Sequence, residues 1–245
     1  MSDSVLSATD VSVGFGAIGV LRGLNLRVSA GEFVAIVGPS GCGKTTLLNV
    51  LSGFQRPSGG LVERSSATRM VYQKDGLFPW LTVRENITMG ISPRSTIAER
   101  RSELASLLQL IQLDEFSEHY PHQLSGGMRQ RVELARAMAG DAKVLLMDEP
   151  FSALDYQTRL RMRRELAELL AARPRTVVFV THDIEEAAQL ADRVVVLSTR
   201  PATICEEIRI GIPRPRAVTH PQVVNTVAHV LRALGLEDAT PQSQS

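Results

Sequence analysis

The stretch Phe33-Val34-Ala35-Ile36-Val37-Gly38-Pro39-Ser40-Gly41-Cys42-Gly43-Lys44-Thr45-Thr46 decides how the rest of the sequence reads. Its first five residues are a continuous apolar run, the pattern of a strand buried on both faces. The next eight fit G-x-x-x-x-G-K-[ST], in which glycines let backbone N–H groups turn in around a phosphate that a Cβ would hold off. A helix expected to begin near Thr45 points its positive end at the same place. In such a loop Lys44 reaches the β- and γ-phosphates and Thr45 offers its hydroxyl to Mg2+, while Gly38, Pro39, Ser40, Gly41, Cys42, Gly43 and Thr46 complete the wrap. Cys42 occupies a position the motif leaves free and reads as a tolerated small residue rather than a reactive thiol. The stretch therefore marks a nucleoside triphosphate site. By itself it leaves kinase, GTPase, motor and transport ATPase open.

Outward from this point the same grammar repeats. Met70–Tyr72, Val144–Met147, Val177–Val180 and Val194–Leu197 are further short apolar runs, and helical stretches at Thr45–Ser52, Met128–Ala139, Tyr156–Ala172 and Ile184–Leu190 stand between or beside them. Strand alternating with helix specifies an α/β fold with a mainly parallel sheet. Ahead of Phe33, the partly alternating Val5–Val13 and Leu21–Val28 suit an antiparallel β edge. The segment from Thr96 to Leu113 breaks the alternation: Leu104, Leu107, Leu108 and Ile111 follow the spacing of an amphipathic helix, expected as a helical insertion. Beyond Thr199, Pro201, Pro213 and Pro215 punctuate short segments, one more helix is expected over Pro221–Leu236, and residues 237–245 read as a tail.

Composition narrows the classes. At 245 residues the chain suits one large domain or two small ones, with ample length for a core. A formal net charge of +1 offers no general attraction to nucleic acid, and 4% aromatic residues provide no platform for stacked bases, so no nucleic-acid partner is expected. Of 27 basic residues only Lys44, Lys74 and Lys143 are lysines, which makes a Lys inside a motif more informative. Cys42 and Cys205 make no disulfide framework, and zinc-ligand spacing is absent. No run approaches the about 20 apolar residues of a membrane span, and Met1-Ser2-Asp3-Ser4 has no leader character. A cytoplasmic protein that meets membranes through a partner is the expectation.

Three further constellations refine the chemistry. Val144-Leu145-Leu146-Met147-Asp148-Glu149 is an apolar strand ending in two carboxylates, and ligands of parallel sheets bind beyond the carboxyl ends of strands. Asp148 is placed to hold Mg2+, and Glu149 to polarise a water attacking the γ-phosphate, which favours hydrolysis over transfer. His182, in Thr181-His182-Asp183 after the next strand, can contact the γ-phosphate or orient that water. Leu124-Ser125-Gly126-Gly127 leads into a helix and forms a second anion-binding device. One triphosphate needs one cradle, so the second is expected to serve a nucleotide held by another copy, in a dimer that closes on ATP.

With these residues assembled, the chain resembles the ATP-binding subunit of ABC transporters. Leu124-Ser125-Gly126-Gly127-Met128-Arg129-Gln130-Arg131 is similar to that family's signature, Tyr72-Gln73 to its Q-loop, Ser152-Ala153-Leu154-Asp155 to its D-loop and His182 to its switch histidine; Phe15 matches the aromatic that stacks on adenine. The resemblance implies a P-loop NTPase fold of the ABC ATPase type. It implies a single domain over 1–245, with a catalytic core at about 5–75 and 143–210, a helical signature subdomain at about 76–142 and a C-terminal helix and tail at about 211–245. It further implies that Gln73 contacts Mg2+ or the attacking water, that Asp155 belongs to the nucleotide site, and that two subunits sandwich two ATP molecules. Integral membrane permease subunits, and through them a periplasmic or extracellular binding protein, follow as partners, with the chain peripheral on the cytoplasmic face of the membrane. Lys74–Ile87, with Phe78 and Trp80, resembles the surface that receives a permease helix.

A narrower resemblance concerns cargo. Gly76-Leu77-Phe78-Pro79-Trp80-Leu81-Thr82-Val83, Asp148–Asp155, Thr181–Ala187 and Ser198-Thr199-Arg200-Pro201 are similar to the nitrate/sulfonate/taurine importer group, whose members also include importers of pyrimidine precursors and bicarbonate. Gly53–Arg69 is short, so a trimmed edge hairpin is expected there. A non-transport ABC ATPase is disfavoured by the lack of a long coiled coil, a second cassette or a basic tail. An exporter ATPase is disfavoured by the absence of a fused membrane domain, and a module that only holds ATP by Glu149.

Overall fold

The computed structural model describes residues 4–72, 76–152 and 154–236. Along them run β1 (Ser4–Phe15), β2 (Ile18–Ser29), β3 (Phe33–Val37), α1 (Lys44–Ser52), β4 (Gly59–Arg64), β5 (Thr68–Val71), α2 (Val83–Thr88), α3 (Ile97–Leu110), α4 (Gly126–Met138), β6 (Val144–Asp148), α5 (Tyr156–Ala172), β7 (Thr176–Val180), α6 (Ile184–Leu190), β8 (Arg193–Leu197), β9 (Ile204–Arg209) and α7 (Pro221–Ala233). The chain divides into two compact units, each drawn from separate stretches: 1–6, 28–32 and 63–179 make the first, and 7–27, 33–62 and 180–245 the second.

In the first unit β5 lies parallel to β6, in register from Thr68 opposite Val144 to Val71 opposite Met147, and β6 neighbours β7. Every residue of β6 and β7 is buried, which is why Val144–Met147 and Val177–Val180 read as apolar runs. The helices start where the sequence supplies caps. Thr82 and Glu85 form a reciprocal capping box at α2, as do Thr96 and Glu99 at α3. The burial of α3 is concentrated near its end, at Leu107 and Leu108 followed by Ile111 and Leu113, with Leu104 half-buried, so the apolar stripe is shorter than its spacing suggests. Arg131 on α4 and Glu165 on α5 join these helices through a pair at 2.7 Å.

Helix α2 packs on α4, and just after α2 the chain passes tightly against the end of α4 at Gly90. A Cβ there would lie 2.1 Å from the Arg136 carbonyl oxygen and 2.8 Å from Ala139 Cβ. Backbone cannot yield as a flexible side chain does, so Gly90→Ala is expected to cost about 2–3 kcal/mol of stability, measured as a lower urea midpoint at unchanged slope.

In the second unit β3 pairs in parallel with β8, from Val34 opposite Arg193 to Val37 opposite Val196, and β8 pairs antiparallel with β9. Strand β9 extends the sheet beyond the sequence expectation. Its inward residues run from half-buried Ile204 and Glu206 to buried Ile208 while Cys205, Glu207 and Arg209 are exposed, and Glu206, Glu207 and Arg209 hide its strand character. β1 and β2 form a hairpin through Gly16 and Ala17, and β4 joins β1 to complete a three-stranded sheet. Gly53–Arg69 therefore does not fold back on itself: β4 joins the sheet of β1, and its chain neighbour β5 pairs with β6.

Helix α6 has only seven residues, too few to stand alone. Asp183 caps its start by accepting from the Glu186 N–H at 3.1 Å. Two arginines from the Pro-rich segment close its other end. Arg214 donates to the Leu190 carbonyl at 2.7 Å and to Asp192 at 2.9 Å, and Arg216 donates to the carbonyls of Ala188 and Ala191. These are the carbonyls a helix leaves unpaired, and a cation there also suits the helix dipole. The Arg216 side chain is 1% exposed. Burial and the neighbouring Arg214 lower its pKa to about 10, which still leaves it charged at neutral pH. Helix α7 packs on α6.

Candidate active site

The second unit carries the phosphate loop. β3 delivers Gly38, and α1 begins at Lys44 with Gly43 before it at φ 118°, a backbone conformation only glycine adopts readily. Gly43 is required twice over, since a Cβ there would lie 2.7 Å from Val20 Cγ1 on β2. Lys44 is buried, and its ammonium donates to the carbonyls of Gly38 at 2.9 Å and Pro39 at 3.1 Å, so the charge lies within its own loop. Ser40, Gly41 and Thr45 are at the surface or nearly so, and Thr46 is half-buried. Cys42 is buried; burial pushes its thiol up, against the pull of Lys44 and Arg200, as expected for an unreactive residue. Phe15, at the end of β1, is 55% exposed.

His182 belongs to the same unit. The Thr181 N–H donates to the Ile36 carbonyl at 3.2 Å, which ties the residue before His182 to the strand that feeds the loop. Thr181 Oγ1 donates to Glu186 at 2.6 Å and accepts from the Asp183 N–H at 2.9 Å. The turn is thus held from both sides while His182 is exposed.

The first unit carries the acids. Asp148 is the last residue of β6 and is 6% exposed. Glu149 follows at φ 46°, a left-handed conformation that a non-glycine residue adopts only where its surroundings hold it. The Glu149 carbonyl accepts from the Ser152 N–H at 3.2 Å and from Ser152 Oγ at 3.0 Å, which fixes the turn. Nothing in the sequence signals this backbone, because Glu stands where Gly or Asn would have betrayed it.

Ser125, Gly126 and Gly127 also lie in this unit. Ser125 is the N-cap of α4, accepting from the Met128 N–H at 3.3 Å, so the two glycines form the first helical turn rather than a loop ahead of it. A Cβ on Gly126 would meet nothing nearer than 3.7 Å and one on Gly127 nothing nearer than 3.5 Å, so neither internal packing nor an unusual φ demands glycine at either position. Asp155 caps α5, accepting from the Thr158 N–H at 3.0 Å; hydrogen bonds from Thr158 hold its carboxyl below the usual carboxylate range. Gln73 and Ala153 lie outside the described residues, as do Lys74 and Asp75. Downstream, Asn86 is fully buried and clamps the loop before α2: it accepts from the Phe78 N–H at 2.9 Å and donates to the carbonyls of Phe78, Leu81 and Thr82. Phe78 lies under Arg136, and Trp80 points outward, 69% exposed.

The residues fit a nucleotide. A loop whose glycine admits no Cβ, with a buried ammonium inside it, suits phosphate. Among the described residues no three His, Cys, Asp or Glu side chains converge on a metal site. That is compatible with Mg2+, which is commonly held by one or two protein oxygens together with substrate phosphates. Thr45 in the second unit and Asp148 in the first each carry an oxygen of that kind.

Comparison with known proteins agrees. The family model described as "ABC transporter" matches residues 21–152. The nitrate import ATP-binding protein NrtD of Synechocystis sp. is 44% identical over 207 residues, covering 81% of this chain and 78% of that protein. The aliphatic sulfonates import ATP-binding protein SsuB 1 of Rhizobium johnstonii is 39% identical over 239 residues, covering 94% and 86%. A dimeric structure of the ABC transporter cassette MJ0796 in a post-hydrolysis state, bound to ADP and Pi, superposes with a TM-score of 0.71 at 31% identity, covering 84% of this chain and all of that one.

Proposed function

Since this chain belongs to the ABC transporter family as one of its ATP-hydrolysing subunits, we propose that it powers an importer of a small anion, of the nitrate, sulfonate or taurine class. The observation that carries the cargo reading is the 39–44% identity to nitrate and sulfonate import subunits across most of the chain. Pyrimidine precursors and bicarbonate are the alternative cargoes, imported by the same ATPase chemistry.

In this reading the backbone N–H groups of Gly38–Thr46 and the Lys44 ammonium bind the phosphates, and Phe15 stacks on the base. Thr45, Asp148 and Gln73 hold Mg2+, which neutralises phosphate charge and orients the triphosphate. Glu149 takes the proton of the attacking water, His182 orients that water, and Gln73 links it to the helical subdomain. Ser125, Gly126 and Gly127 present the start of α4 to the nucleotide of a second copy, with Asp155 at the same junction. The room for a Cβ at Gly126 supports this, because a glycine that the chain itself does not need suits close approach from outside. Closure of two subunits on ATP and their reopening then move attached permease subunits between inward- and outward-facing states. Trp80, held outward by the Asn86 clamp, supports a docking role for its loop. No helix among the described residues is long and apolar enough to cross a membrane; in the proposed reading the chain engages the membrane from its cytoplasmic face through those permeases.

Tagged Glu149→Gln chain, expressed in its own host and extracted from membranes with ATP, is expected to bring down a polytopic membrane protein in stoichiometric amount. Trp80→Ala, added to the same chain, is expected to lose that partner and keep ATP binding. Recovery of soluble or nucleic-acid partners alone would overturn the importer reading, and identification of the permease directs the choice of anions for transport assays.

A further inference from the structure

Ser198-Thr199-Arg200-Pro201 has no task in the chemistry above, yet the fold carries it to the phosphate loop. The loop after β8 closes on itself: the Ser198 N–H donates to the Thr203 carbonyl at 3.0 Å, and the Thr203 N–H to Ser198 Oγ at 3.0 Å. Its far side is sewn to β2, with the Ala202 N–H donating to the Val20 carbonyl at 2.8 Å and the Arg22 N–H to the Ala202 carbonyl at 3.0 Å. Val20 is the residue that backs Gly43, and Leu197, where the loop departs, backs Gly38: a Cβ on Gly38 would lie 3.1 Å from both Leu197 Cβ and its carbonyl oxygen. Both ends of the loop are thus fastened to the walls of the cradle. From its tip Arg200 Nε donates to the Gly41 carbonyl.

We propose that Arg200 is a positioning residue of the nucleotide site, a brace that fixes the Gly41 peptide and so holds the phosphate loop in its binding shape before ATP arrives. The physical case is preorganisation. A flexible glycine-rich loop that must order on binding loses affinity to the entropy of ordering. A charge-assisted hydrogen bond from a rigid neighbour settles that order beforehand. Fixing the Gly41 carbonyl outward, toward Arg200, keeps an acceptor from turning into the space the phosphates occupy. The planar guanidinium, fixed through Nε, does this with a directionality that an ammonium on a flexible stem does not reproduce.

This inference rests on the reading of Gly38–Thr45 as the nucleotide site, so its test includes a readout that needs no nucleotide. Cys42 lies in the braced loop and is buried, whereas Cys205 is exposed and serves as the internal standard. In nucleotide-free protein, the rate of N-ethylmaleimide addition at Cys42 relative to Cys205, read by mass spectrometry of the peptides, is expected to rise about tenfold in Arg200→Ala, against the slower addition that loss of the Arg200 pull on the thiol gives by itself. The same variant is expected to bind ATP about tenfold more weakly, with KM for ATP rising in step and kcat within about twofold of wild type. Its melting temperature without nucleotide is expected to move little, because Arg200 is exposed. Arg200→Lys, which keeps the charge, is expected to restore neither Cys42 protection nor affinity in full. Wild-type labelling in Arg200→Ala, or complete rescue by Lys, would overturn the brace. Failure of the wild-type chain to bind ATP would instead overturn the nucleotide reading, while the labelling comparison still decides the brace.

Discussion

Glu149→Gln is expected to bind ATP with about wild-type affinity, to hydrolyse it at least about 100-fold more slowly and to accumulate as a dimer when ATP is present. The reason begins with the backbone. Glu149 directly follows the buried Asp148 at φ 46°, in a turn closed by Ser152, so the direction in which its Cα–Cβ bond leaves the chain is set by the fold. Gln occupies the same turn at the same backbone cost and nearly the same volume. What it lacks is a group that can accept a proton from water. Binding contacts from the phosphate loop are untouched, so the loss falls on the rate of hydrolysis, and closure driven by ATP is no longer undone. Single-turnover hydrolysis together with size-exclusion chromatography separates the two effects. Undiminished hydrolysis would remove Glu149 from the role of base.

Ser125→Arg is expected to lower hydrolysis on the order of 100-fold while nucleotide binding to the monomer is preserved. Part of its effect is local, since Ser125 caps α4 and the cap contributes about 1 kcal/mol; urea unfolding of the monomer measures that part. The remainder is steric and electrostatic. A long side chain at the first turn of α4 blocks approach of a second nucleotide-bearing surface. Mixing resolves where that surface comes from. Lys44→Ala chains lack a working cradle, and Ser125→Arg chains lack a working α4 terminus. In a dimer of one of each, the intact cradle of one chain meets the intact Ser125 of the other, so partial activity returns. No recovery from mixtures that still dimerise would place cradle and Ser125 in the same chain.

What was legible in the sequence follows burial. β3, β6, β7 and β8 are buried at every residue and announce themselves as apolar runs, broken only at their ends by Asp148, Thr176 and Arg193. The starts of α4, α5 and α6 carry Ser125, Asp155 and Asp183, side chains whose oxygens accept the N–H bonds a helix cannot satisfy internally. The phosphate loop was legible because its chemistry demands particular residue types at fixed spacing. Other features hid for equally physical reasons. β9 lies antiparallel beside β8 and is half exposed, so charged residues are tolerated along it. Arg214 and Arg216 lie among prolines that read only as punctuation between short segments, yet both guanidinium groups answer the carbonyls of a helix that ends more than twenty residues earlier. Gly90 gave no signal, because the carbonyl it must clear belongs to Arg136. The left-handed turn at Glu149 contradicts local preference, and tertiary structure supplies what the residue does not.

The separation of Arg200 from Gly41 along the chain is 159 residues, and the loop between them contains the whole middle of the protein. A chain leaving the ribosome exposes its glycine-rich loop early, long before Leu197 and Ala202 exist to wall it. The second unit begins at residue 7 and is finished only by the last quarter of the sequence, a distribution of contacts that slows folding. During synthesis, therefore, the half-made protein carries the recognisable phosphate motif without the fixed loop. On the proposed brace, the loop reaches its binding shape only once the final stretch is made, and an incomplete chain is poorly equipped to join an assembly that closes on nucleotide.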